Sequence, residues 1–148
     1  MKKALQVIVL CFFGFVSQGQ PGQYVSEVNA ITKTIDSSVS TKQYQTTFSN
    51  YSFTLIADTV RNSLLKTVVV DKRSKSTRTY YFRNDYLIKV MEKYDQPYEI
   101  VSSHYFFLNS SYALAVDYKD GAQPDPKHER LQNDAYKFLL CYRTISMK

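Results

Sequence analysis

Glycine is scarce, and its scarcity is informative. The chain holds 4, and Gly14 and Gly19 fall in an apolar leader, leaving Gly22 and Gly121 for the rest. Two isolated glycines cannot build a phosphate-cradling loop or a dinucleotide fingerprint, both of which need several at close spacing. Histidine and cysteine are thinner still, with two of each: His104, His128, Cys11 and Cys141. There is no HxH or HxxxH pair, so convergent metal ligands are not expected and no cofactor is indicated. Tryptophan is absent. What the chain has instead is tyrosine, 13 residues of it, all beyond residue 19.

The first nineteen residues read as a secretory signal peptide. Lys2 and Lys3 form a basic start, Ala4 to Val16 is apolar apart from Gln6, and Ser17-Gln18-Gly19 places small residues where a signal peptidase cuts. The apolar run of about 13 residues falls short of the ~20 that a spanning helix needs. Lipid attachment at Cys11 is disfavoured because cleavage there would leave much of the apolar run in place. The expected product is exported, periplasmic or extracellular, with residues 20–148 as one domain and no transmembrane segment.

Loss of Lys2 and Lys3 with the leader lowers the formal charge from +6 to +4. That is mildly basic, and nucleic acid is not the expected partner. Cys141 would be the only thiol left, so no internal disulfide can form. Its neighbours Phe138, Leu139, Leu140 and Tyr142 favour burial over pairing between chains.

Two segments carry the helical period. Tyr24, Val28, Ile31 and Ile35 draw an apolar stripe through a helix from Gly22 to about Ser38. Leu131, Ala135, Phe138, Tyr142 and Ile145 draw a second, with Asp125 as a cap before Pro126. Between them the period changes to two. Tyr51–Asp58, Leu64–Lys72, Thr79–Phe82, Tyr86–Tyr94, Ile100–Leu108 and Tyr112–Tyr118 make about six expected strands. Their short polar connections force antiparallel neighbours. The fold class is therefore α+β: an N-terminal helix, an antiparallel meander sheet, and a C-terminal helix packed on one sheet face.

Residues 80–86 (Tyr-Tyr-Phe-Arg-Asn-Asp-Tyr) are echoed by residues 105–112, with one residue inserted in the second turn. Asparagine tolerates the left-handed backbone that tight hairpins demand. On these residues the chain resembles small exported bacterial meander proteins of unassigned function, and the paired turns are similar to MORN-type hairpins. Asn84-Asp85 and Asn109-Ser110 lack the glycine usual in those turns. The resemblance spans Thr79 to Val116 and implies no activity.

Catalytic chemistry finds little support. Ser102 and His104 share a strand face, with Asp117 or Glu92 as a conceivable partner acid, but no glycine elbow or oxyanion loop accompanies them. A hydrolase centred on His104 is the weakest of three readings. The basic residues Lys72, Arg73, Lys75 and Arg78 mark a hairpin tip, where they keep a sheet soluble or meet an anionic partner. The aromatic runs must occupy both faces of the sheet. If helices cover one face, the other presents rings, and Tyr81, Tyr105 and Phe107 are the expected contact residues. The expected function is a non-catalytic binding module for an envelope or extracellular macromolecule, or an apolar ligand. The remaining alternative is a structural or assembly component of the cell envelope.

Overall fold

Pro21 opens the first helix, where its fixed φ suits the first turn and its missing N–H costs nothing. A computed structural model describes residues 21–95, 100–108, 112–117, 121–123 and 128–147. The expected leader, the expected Asp125 cap before Pro126 and the expected second asparagine turn lie outside these residues. Helix α1 spans Pro21–Asp36 and helix α2 spans His128–Ser146. Between them, among the described residues, run eight strands: β1 (Thr41–Phe48), β2 (Tyr51–Asp58), β3 (Ser63–Asp71), β4 (Ser76–Arg83), β5 (Tyr86–Asp95), β6 (Ile100–Leu108), β7 (Tyr112–Asp117) and β8 (Gly121–Gln123). They form a single antiparallel meander in chain order. The six expected strands are β2 to β7, and β1 and β8 extend the sheet at its two ends.

Strand β1 escaped the periodicity because it is an edge strand. Of its residues only Thr41 and Tyr44 are even half-buried, so threonine, glutamine and lysine suffice. Its identity comes from the backbone, which pairs with β2 from Thr41↔Asp58 to Phe48↔Tyr51.

The turns follow from aspartate and asparagine. Asp58 Oδ1 accepts from the N–H groups of Val60 and Arg61, at 2.8 and 3.1 Å. Asp71 Oδ1 accepts in the same way from Arg73 and Ser74. Each of these turns ends on a left-handed residue, Asn62 (φ 49°) and Lys75 (φ 51°). The β4–β5 turn has only two residues between its strands, Asn84 and Asp85, with φ 51° and 63°. Positive φ at both central positions is the turn whose twist matches that of paired strands, as the asparagine predicted.

Alternation along the strands then builds two cores. Tyr80, Phe82, Val90, Tyr105 and Phe107 project to one face, where Leu131, Ala135 and Tyr142 of α2 cover them. Tyr81, Ile88 and Phe106 project to the other, where Val28 and Ile35 of α1 cover them. The expectation that one aromatic face stays open is therefore corrected. Periodicity located both apolar stripes but could not assign each helix to a face, and the two helices took opposite ones. Both faces of the central strands are buried, with α2 across the first and α1 across the second.

Burying Phe82, Phe106 and Phe107 below 3 % exposure stabilises the fold by about 1.5–3 kcal/mol for each ring. One core position runs against this trend. Thr67 is fully buried on the α2 face, opposite Leu55 and Tyr80, and its hydroxyl has no hydrogen-bond partner among the described residues. Replacing it by valine keeps the shape and removes the desolvated oxygen. Thr67→Val is expected to raise stability by ~1 kcal/mol in urea denaturation; a loss would mean that the hydroxyl is satisfied in solution.

Candidate ligand groove

The expected contact residues do not form a surface. Tyr81, Tyr105 and Phe107 are 5, 4 and 2 % exposed, and they do not share a face. Tyr81 lies under α1, where its hydroxyl donates to Asp36 Oδ2 at 3.1 Å. Tyr105 and Phe107 lie under α2. All three rings are core.

The basic cluster also divides. Lys72, Arg73 and Lys75 are exposed on the β3–β4 turn, but Arg78 turns inward. Its Nε lies 2.6 Å from Glu92 Oε1, directly across the β4–β5 pair. The Tyr105 hydroxyl donates to the other Glu92 oxygen at 3.2 Å. Glu92 is thus a buried carboxylate held by a guanidinium and a phenol. Burial pushes the nearby Tyr80 hydroxyl up to about 12, with Arg78 pulling the other way.

His104 is half-buried and stands on the α1 face with Phe106, its ring edge-on at 6.5 Å. Glu92 belongs to the opposite face with Tyr105, so it cannot orient His104. Burial, then the charge of Lys89, holds the imidazole below its ordinary pKa. Lys89 is itself 6 % exposed, donating to Asn29 Oδ1 at 2.7 Å and lying 5.2 Å above the Phe106 ring. Burial lowers its pKa, partly offset by Asp36. These groups tie α1 to the sheet. The side chains of Ser102 and Asp117 lie outside those described, as does that of His128. Cys141 is exposed rather than buried; it stands one step from Tyr142, which is the residue that enters the core.

Concave space appears elsewhere. A groove of about 830 Å³ opens at the tip of the β4–β5 hairpin, between the start of α1 and the first half of α2. That is within the range of roughly 300–1,000 Å³ typical of ligand sites. Leu87, Ile88, Phe107, Ala135 and Leu139 supply apolar lining, and Tyr24, Tyr86 and Tyr136 supply aromatic rings. Asn84, Gln132 and Asn133 add carboxamides. Tyr86 and Tyr136 are 64 and 62 % exposed. They contrast with the six rings of the β4 and β6 aromatic runs, all of which are buried.

Local structure explains the placement. The two-residue turn at Asn84-Asp85 returns the chain sharply, so Tyr86 begins β5 at the sheet's end, beyond the cover of the helices. Tyr136 lies off the Leu131–Ala135–Tyr142 stripe of α2, so it projects outward. Both were visible in the sequence, and the usable signal was negative: Tyr136 falls on no apolar stripe. The Tyr24 hydroxyl donates to the Phe107 carbonyl oxygen. Burial, then the nearby Glu27 carboxylate, raises its pKa, so it stays a protonated donor.

The charges at this rim are matched in pairs. Arg83 Nη1 faces Glu27 Oε1 at 3.5 Å, and Arg143 Nη2 faces Asp85 Oδ2 at 3.0 Å. Asp85 is the single carboxylate among the described lining residues, and it is ion-paired with Arg143. Among the described residues no three His, Cys, Asp or Glu side chains converge on a point. None of the described helices is long and apolar enough to cross a membrane. No family model, no curated protein and no solved structure matches this chain.

Proposed function

We propose that this chain is an exported, non-catalytic binding module whose contact surface is the groove at the β4–β5 tip. The observation that carries the reading is the outward exposure of Tyr86 and Tyr136 on the rim of an apolar-floored cavity, in a fold that buries the aromatic runs of β4 and β6 on both faces. Solvent-facing tyrosines offer a rigid apolar surface with one polar end, at low entropic cost on binding. Export rests on the leader at residues 1–19.

The test works whatever the ligand is. In a fragment screen read by NMR, shift changes are expected to cluster at Tyr24, Tyr86, Tyr136 and Leu139, and Tyr86→Ser with Tyr136→Ser should abolish them without unfolding the domain. Shifts scattered evenly over the surface would remove the groove as a site. A second reading, an assembly component of the envelope, is favoured by the exposed Cys141 and by the place of β1 at the edge of the sheet among the described residues. Sizing the purified protein with and without reductant separates the two.

A further inference from the structure

Taking the groove as the binding site, we infer that its ligand is an uncharged saccharide, held by its apolar ring faces on Tyr86 and Tyr136 and by its hydroxyls on the flanking carboxamides. The inference rests on the binding-module reading and narrows it to one chemical class.

Three observations select that class. First, the rim charges cancel locally: Arg83 is engaged by Glu27 and Asp85 by Arg143. The described rim therefore presents no net charge to draw in an anionic or cationic ligand, and a neutral ligand needs none. Second, the polar groups on offer include the side-chain amides of Asn84 and Asn133. A carboxamide both donates and accepts, which suits vicinal hydroxyls that do the same. Third, the rings are planar and face solvent, and a pyranose presents a flat C–H surface that covers such a ring while its hydroxyls stay at the edge. The electron-rich ring face attracts those polarised C–H groups.

Two other occupants fit less well. A peptide is commonly gripped through backbone hydrogen bonds at a free sheet edge, but this groove lies at a hairpin tip and along a helix. Its backbone groups are engaged in the β4–β5 ladder and inside α2. A lipid chain calls for a closed apolar cavity, whereas here carboxamides, two ion pairs and exposed phenols surround an open mouth.

The experiment is titration calorimetry of the mature chain with cellotetraose, tetra-N-acetylchitotetraose and mannotetraose, beside an anionic oligogalacturonate and a neutral tetrapeptide. At least one neutral oligosaccharide is expected to bind with Kd of about 1 mM or tighter, a range typical of weak single-site recognition. Tyr86→Ala and Tyr136→Ala should each weaken it by roughly two- to tenfold, the loss of one stacking contact. Tyr136→Phe, which keeps the ring, should retain most of the affinity. Asn133→Ala serves as a second variant should either tyrosine variant fold poorly, and circular dichroism checks the fold of each. Preference for the oligogalacturonate or the tetrapeptide would overturn the saccharide assignment. So would failure of every neutral sugar while fragments still cluster at Tyr86 and Tyr136, which leaves the groove standing as a site. If the fragments scatter as well, both the groove and its ligand class fall.

Discussion

Phe106→Ala and Phe107→Ala are each expected to destabilise the domain by about 3–5 kcal/mol, the usual cost of emptying a buried aromatic site. The two residues are neighbours in the chain, yet their rings enter different cores, Phe106 beneath α1 and Phe107 beneath α2. They are 1 and 2 % exposed. Were the α1 side of the sheet open to solvent, truncating Phe106 would cost well under half as much. Phe106 carries a further duty, because the Lys89 ammonium lies over its ring and loses that partner in the variant. Urea denaturation should show both midpoints falling with little change in slope, the sign of lost stability rather than an altered unfolded state. A midpoint for Phe106→Ala close to that of the parent would refute the two-sided sheet. Since whole domains are stable by only about 5–15 kcal/mol, the double variant is expected to be largely unfolded at room temperature.

The second large effect belongs to Arg78 and Glu92. Arg78→Met leaves the Glu92 carboxylate, 6 % exposed at its side chain, with the Tyr105 hydroxyl and no counter-charge. Breaking one partner of a buried pair costs about 3–5 kcal/mol, because the remaining charge stays desolvated. Combining Arg78→Met with Glu92→Leu should recover most of that loss, since two apolar side chains replace a buried carboxylate and its half-buried guanidinium partner. A double-mutant cycle by chemical denaturation measures the difference. If Arg78→Met alone proves almost neutral, the pair is solvated and the 2.6 Å contact does not persist in solution. The pair also accounts for how the basic cluster divides. Lys72, Arg73 and Lys75 occupy a turn and point to water. Arg78 occupies the α2 side of β4, level with Tyr80, and must find a carboxylate there.

Particular residues show how far the sequence could be read. The apolar stripe of Tyr24, Val28, Ile31 and Ile35 was legible because helix geometry maps spacing directly onto one side of a cylinder. The stripe of α2 was legible for the same reason, apart from Ile145, which is 40 % exposed in the last turn. Six strands and the Asn84-Asp85 hairpin were legible because alternation and left-handed backbone leave local marks. Strand β1 left none, since it is an edge strand whose one ring contact with α2 is made by Tyr44, and the rest of it needs no apolar alternation. The exposure of Cys141 was hidden for a related reason. Composition counts its apolar neighbours, whereas burial depends on angle around the helix, and one residue of displacement turns a side chain by about 100°.

The groove was the least legible feature. Tyr24, Tyr86 and Tyr136 are far apart in the chain, and no single pattern links them: Tyr24 heads the α1 stripe, Tyr86 closes the 80–86 run and Tyr136 belongs to neither. Their shared location depends on where α1 and α2 cross the sheet relative to the β4–β5 tip. The expectation that Tyr81, Tyr105 and Phe107 form the contact surface rests on both helices covering the same face of the sheet, whereas they cover opposite ones.

By itself the sequence determined the class of every long element except β1, the antiparallel order of the strands and the turn at Asn84-Asp85, because each depends on residues close together in the chain. Only the tertiary structure decided which helix lies on which face, which tyrosines are core and which meet solvent. Those outcomes depend on the docking of whole elements, and docking is governed by the summed area that all of them bury, a quantity no local window contains.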